Sequence, residues 1–219
     1  MKLDAKTIGM LKNFSTINPS ILIKEGNVLA TISPTKTVMA KAAVPTNFPK
    51  RFAIYELSKL IGGFSLLEDP EVEFGDQAVK FSDASGKHLR LKYTPEDSIK
   101  TPPEKDISLP SIDAQFKLTD VNLKNIVKAA GVLNLTEIAF VGDGQSVLLQ
   151  AVDSKTPDGH THNSVLGTTD KNFRVIFKAE NLLKLYSGDY DVSICSKGIS
   201  HFKGEGTEYW IAIETNSTF

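Results

Sequence analysis

The constraint that narrows the fold most is internal repetition. Phe52-Ala53-Ile54-Tyr55, followed by a helical pattern over Glu56 to Phe64, is answered by Phe173-Arg174-Val175-Ile176-Phe177 and a pattern over Lys178 to Tyr186. Glu71-Val72-Glu73-Phe74 is answered by Tyr190-Asp191-Val192-Ser193-Ile194, and Leu89-Arg90-Leu91-Lys92-Tyr93 by Trp210-Ile211-Ala212-Ile213-Glu214, at an offset of about 120 residues throughout. A unit that long exceeds a solenoid repeat and is the size of a whole domain. The 219 residues, 41% of them hydrophobic, suffice for two cores. Two like units side by side suit a symmetric assembly better than a single catalytic cleft.

Each copy reads as two helices and a set of short strands, an α+β class with strands in excess. The first helix, about Asp4 to Ile17, places Leu3, Met10, Phe14 and Ile17 on one stripe with Lys12 opposite. Its counterpart, about Thr119 to Ala130, stacks Leu123, Ile126, Val127 and Ala130, with Lys124 and Lys128 on the other face. Thr119 or Asp120 is placed to cap it and Gly131 to stop it. The second helices set Leu57, Leu60, Ile61 and Phe64 against Lys59, and Leu182, Leu183 and Tyr186 against Lys184. Alternating runs predict strands at Ser20–Ile23, Val28–Ile32, Ile138–Val141, Val147–Val152, Ile199–Phe202 and Tyr209–Ile213, with turns at Glu25-Gly26-Asn27, Gly142-Asp143-Gly144 and Lys203-Gly204-Glu205-Gly206. Pro95, Pro102, Pro103 and Pro110 stiffen a linker over about 94–110, which divides the chain into domains 1–106 and 107–219.

The net charge of −1 hides a segregation. The helical regions with their lead-in residues, 2–17, 45–63, 117–131 and 170–186, hold 13 of the 25 basic residues but only 5 of the 26 acidic ones. Positive helices and negative strands give two electrostatically distinct faces. Lysines opposite the apolar stripes suit phosphate contact without base readout, and so salt-sensitive, sequence-independent binding of duplex DNA.

Catalytic signatures are missing. No phosphate loop, dinucleotide fingerprint or nucleophile elbow occurs, and no spacing marks a triad, so the chain reads as a non-enzyme without cofactor. His160-Thr161-His162 in a polar loop is two ligands short of a zinc site, with His88, His201 and Cys195 at no useful spacing, so no metal is expected. Cys195, the only cysteine, reads as a small strand residue. No apolar run reaches a membrane span and no signal segment precedes the first helix, so a cytoplasmic, membrane-free protein is expected.

Met1-Lys2-Leu3 with Leu11-Lys12-Asn13-Phe14-Ser15-Thr16-Ile17-Asn18, Phe52 to Leu57, Ser65-Leu66-Leu67, Gly188-Asp189-Tyr190, Phe202 to Gly206 and Glu214 to Phe219 together resemble the DNA polymerase processivity clamps, or sliding clamps, of T-even-type bacteriophages. The resemblance runs nearly end to end. It implies a DNA-clamp architecture that closes head to tail into a homotrimeric ring around duplex DNA in the cytoplasm of an infected bacterium. It implies Lys12, Lys59, Lys124, Lys128 and Lys184 facing the hole, and edge pairing between about Lys87–Tyr93 (Leu89, Leu91, Tyr93) and about His162–Thr168 (Val165, Leu166). A partner-peptide pocket by Ile107, Leu109, Pro110 and Phe219 also follows, with DNA polymerase, an ATP-dependent clamp loader and late-transcription factors as partners. Two rival readings are a phage structural or replication accessory protein that shares the duplication without encircling DNA, and a metal-dependent hydrolase using His160 and His162.

Overall fold

The computed structural model describes residues 1–105, 107–156 and 159–219. Asp106 in the expected linker, and Pro157 and Asp158 in the expected polar loop, lie outside the described residues. The chain forms two compact units, Met1–Glu104 and Lys105–Phe219.

The first unit runs α1 (Ala5–Ile17), β1 (Ile21–Ile23), β2 (Gly26–Ile32), β3 (Val38–Phe48), β4 (Phe52–Ile54), α2 (Leu57–Leu66), β5 (Glu71–Phe74), β6 (Ala78–Ser82) and β7 (His88–Lys92). β1 pairs with β4, β2 with β3, and β5, β6 and β7 form a meander, all antiparallel. Met10, Leu11 and Phe14 of α1 and Leu57 and Leu60 of α2 are buried, as are Leu29, Phe48, Val79 and Phe81 of the strands. The second unit runs β8 (Ala114–Leu118), α3 (Asp120–Val132), β9 (Glu137–Asp143), β10 (Ser146–Val152), β11 (His162–Thr168), β12 (Asn172–Lys178), α4 (Ala179–Leu182), β13 (Tyr190–Cys195), β14 (Ile199–Gly204) and β15 (Thr207–Ala212). Its strands pair antiparallel in the orders β11-β10-β9-β12 and β8-β13-β14-β15. Phe116 stacks on Phe140 at 4.7 Å, and Phe140, Phe177 and Phe202 continue the core edge to face.

From α1 to β7 and from α3 to β15 the element order is identical, as the repeat requires. Even β8 has a vestigial counterpart. Val192 pairs with Phe116 of β8, and Val72 makes the equivalent pair with Met1, its N–H donating to the Met1 carbonyl at 2.6 Å while the Met1 amine donates back at 2.9 Å.

Several expected elements need correction. β3, β6 and β8 were not anticipated, and Lys117 and Leu118 are strand rather than helix lead-in. Gly131 does not stop α3, which runs through Val132; the left-handed residue is Asn134, at φ 54°. The second helix of the first unit extends to Leu66, with Glu56 at its N-cap position. The largest miss is α4, expected over Lys178 to Tyr186 but one turn long. Beyond it the N–H groups of Lys184 and Leu185 donate to the carbonyls of Asn181 and Leu182, three residues back. That tighter 3₁₀ winding eclipses residues three apart. Leu182 and Leu185 are therefore buried, while Leu183, expected in the stripe, is 61% exposed.

Candidate nucleic-acid interface

In each unit the two helices lie together, α1 with α2 and α3 with α4, so their outward side chains share a layer. α1 starts where Asp4 caps it, accepting from the Thr7 N–H at 2.9 Å and from the hydroxyls of Thr7 and Thr46 at 2.6 and 2.7 Å. Burial works to raise the Asp4 pKa, but these hydrogen bonds outweigh it and hold the carboxyl at about 2. α3 has the lighter cap, with the Thr119 hydroxyl accepting from the Asn122 N–H at 3.2 Å. Asp120 instead accepts from the Ser187 hydroxyl at 2.8 Å and the Gly188 N–H at 2.9 Å, fixing the start of α3 to the turn before β13.

The expected DNA-facing lysines fall into three situations. Lys12 on α1 and Lys128 on α3 are exposed, opposite the buried stripes of their helices. Lys59 on α2 pairs with Glu56, and Lys124 on α3 pairs with Asp120 and donates to the Ser187 hydroxyl at 2.8 Å. The ammonium of Lys124 is the first cause holding the Asp120 carboxyl below the usual range. Lys184 lies beyond α4 and is half-buried, so it is not on a solvent face opposite a stripe. The charge segregation also shrinks. Lead-in segments such as 45–48, 52–54 and 172–178 are strand, and the helices themselves carry Lys6, Lys12, Lys59, Lys124 and Lys128 against Asp120 and Glu180. The carboxylate partners of Lys59 and Lys124 were missed, although their spacings of three and four residues along a helix are legible in the sequence.

The two expected edge strands are both outermost in their ladders. β7 pairs with β6, and the bonds Asp83 N–H to Lys87 carbonyl (3.1 Å) and Tyr93 N–H to Gln77 carbonyl (2.9 Å) turn its odd-numbered backbone groups inward. Those of His88, Arg90 and Lys92 therefore face the open edge. Leu89, Leu91 and Tyr93 are half-buried, Tyr93 stacked on Phe52 at 4.9 Å. β11 pairs with β10 through a bulge at Leu166, leaving Val165 65% exposed. β12 would present a third edge, but the segment 214–218 covers it. Thr218 exchanges backbone bonds with Arg174 at 2.8 and 2.9 Å, the Glu214 N–H reaches the Ile176 carbonyl at 2.8 Å, and the Ser217 hydroxyl accepts the Ile176 N–H at 3.0 Å.

Of the expected pocket residues, Ile107 and Leu109 are half-buried and Pro110 exposed in the segment leading to β8, whereas Phe219 follows the tail docked on β12 and is 47% exposed. His160 and His162 are exposed, the latter opening β11. Among the described residues no group of three or more His, Cys, Asp or Glu is arranged to hold a metal ion, and no helix is long and apolar enough to cross a membrane. Cys195 is buried at the end of β13, 3.3 Å from the Ser111 hydroxyl.

Residues 2–84 match the family described as DNA polymerase processivity factor, and residues 115–215 the family described as gp45 sliding clamp, C terminal. The sliding clamp of Vibrio phage KVP40 is 33% identical to this chain over 221 residues, 98% of this chain and 99% of that protein. The chain belongs to the bacteriophage sliding clamps. The sliding clamp of Enterobacteria phage T4 is 28% identical, aligned over 100% of this chain and 99% of its own length. Among solved structures, the A. fulgidus PCNA bound to the C-terminal region of FEN-1 superposes with a TM-score of 0.72 at 12% identity, covering 99% of this chain and 98% of that one. PCNA from Thermococcus kodakaraensis gives 0.70 at 14% identity over 97% and 98%. At such identities the likeness is one of fold, and it extends over both units of the sliding-clamp chain.

Proposed function

We propose that this chain is a DNA polymerase processivity factor, a sliding clamp that encircles duplex DNA and tethers the replicative polymerase to it. The observation that carries the reading is the end-to-end match to the sliding clamp of phage KVP40, which spans both repeats. Neither matching family is named for a reaction, and the mechanism is topological: a closed ring stays on DNA without gripping any sequence. Three copies closing head to tail supply six units, with the open edge of β7 pairing to β11 of the next copy. Heterologous contacts of this kind close into rings or grow into filaments, and pairing removes the exposed edges. Lys12, Lys59, Lys124 and Lys128 supply the positive surface, and an ATP-dependent loader opens the ring onto DNA. Polymerase and loader dock by short hydrophobic peptides near Ile107, Leu109, Pro110 and Phe219, and late-transcription factors are further partners.

Light scattering across a dilution series tests the ring. A trimer that loses subunits on dilution supports it, and a concentration-independent monomer or a dimer refutes it. Lys128→Glu leaves the fold intact, because the side chain is exposed, and lowers processivity on primed DNA. Leu109→Asp abolishes binding of the polymerase's C-terminal peptide while sparing the trimer; unchanged peptide affinity removes that site from consideration.

A further inference from the structure

The two paired lysines are each neutralised by a carboxylate of their own helix region. Lys59 and Lys124 have side chains 59% and 62% exposed, so solvent and ligands reach both. Yet each ammonium is already ion-paired with an acid, through a hydrogen bond in the case of Lys124, and each pair is electrically neutral. A phosphate approaching Lys59 or Lys124 must displace that acid and then lie beside it. The situation differs at Lys12 and Lys128, which have no carboxylate partner among the described residues.

The two carboxylates are held differently. Asp120 is immobilised, since its other contacts are the Ser187 hydroxyl and the Gly188 N–H and its side chain is only 27% exposed. It also sits in the first turn of α3, where a negative charge complements the helix dipole. It cannot swing away when a phosphate arrives. Glu56 makes no capping bond and is 50% exposed, so it competes without the anchoring contacts that hold Asp120.

We infer that Glu56 and Asp120 compete with DNA phosphates for Lys59 and Lys124, so that Lys12 and Lys128 carry most of the contact and the duplex is held loosely enough to slide. This rests on the sliding-clamp reading and assigns a role to two acids on a surface otherwise read only for its lysines. An attraction too strong would arrest the ring, because each phosphate bond must break for it to advance. Partial neutralisation lowers that barrier without altering the shape of the ring.

The isosteric variants Glu56→Gln and Asp120→Asn, made in the full chain, test it. Anisotropy of a labelled short duplex is measured over a salt series, with thermal melting of each protein alongside. Each variant should raise affinity about two- to fivefold at low salt, the range of an exposed ion pair. Each should also steepen the slope of log K against log salt by up to about one per lysine released. Glu104→Gln, in the segment after β7, frees Lys24 in the turn between β1 and β2; it is the control for net charge and should change little. Equal gains from Glu104→Gln, or unchanged binding in Glu56→Gln and Asp120→Asn while Lys128→Glu weakens it, overturn the inference alone. If Lys12→Glu and Lys128→Glu also leave binding unchanged, the DNA-facing assignment of the helices fails with it. Should Asp120→Asn lose its fold, Glu56→Gln decides by itself, since Glu56 makes no capping bond.

Discussion

The two units share one plan, yet they are finished differently at the same places. α1 begins at a carboxylate with three donors, α3 at a hydroxyl with one. α2 has ten residues, whereas α4 has four and continues as a 3₁₀ turn. β13 is paired along its length by β8, while β5 has a single equivalent pair, at Met1. The apolar core preserves the plan, because those positions must interlock. Helix ends and strand margins are free to drift, each within a kilocalorie or two. The inequality of the halves therefore lies in local terms that can be measured one at a time.

The largest effect that would break the comparison is loss of a core aromatic. Phe81 and Phe140 are fully buried, one in each unit, and truncation to Ala should cost about 3–5 kcal/mol in either case. Hydrogen exchange should show the loss of protection concentrated in the unit that carries the change. Uniform loss across both would mean that the halves do not fail separately.

The caps come next. Asp4→Ala should cost about 2 kcal/mol and Thr119→Ala about 1 or less, at the top and the middle of the range for N-caps, and urea unfolding can rank them. pH sharpens the contrast. The folded Asp4 pKa, about 2, lies below the ordinary 3.8. Its contribution is thus complete above about pH 4 and fades as pH falls from there through 2. Asp4→Asn should flatten the stability profile within that window, and Thr119→Ala should not.

The smallest effects concern glycines. A Cβ on Gly62 or Gly131 would meet nothing within 4 Å, whereas on Gly63 it would come to 3.0 Å from Leu89 and 3.4 Å from Phe81. Gly62→Ala and Gly131→Ala should stabilise by up to about 1 kcal/mol through helix propensity. Gly63→Ala should gain less or destabilise, because the packed neighbours must give way. Thermal melting separates the three.

The repeat was legible because aromatic and β-branched runs at matching positions survive in both copies, as at Phe52 and Phe173. β3 escaped because Ala40, Ala42 and Ala43 carry little strand signal and Pro45 reads as a break. On its β2 side Pro45 is tolerated because the register passes from Ala43 to Phe48 at the irregularity before Val28, so β2 asks no ladder bond of it. The α4 stripe failed because a 3.6-residue period was assumed where the backbone winds at three. Of the candidate site, the lysines of α1, α2 and α3 could be placed on helix faces from spacing alone, but Lys184, beyond α4, could not. The acids three and four residues before Lys59 and Lys124 could be placed by spacing too, but what fixes Asp120 needed coordinates, since its contacts at Ser187 and Gly188 lie more than sixty residues away.

Gly63 has one more consequence. With no side chain beneath it, α2 rests directly on Leu89, and the margin of β7 is held in an extended shape before anything pairs with it. A strand that must first straighten surrenders conformational entropy at the moment of association. β7 has surrendered it during folding, so a strand that docks there meets a finished template and keeps more of its hydrogen-bond energy as affinity.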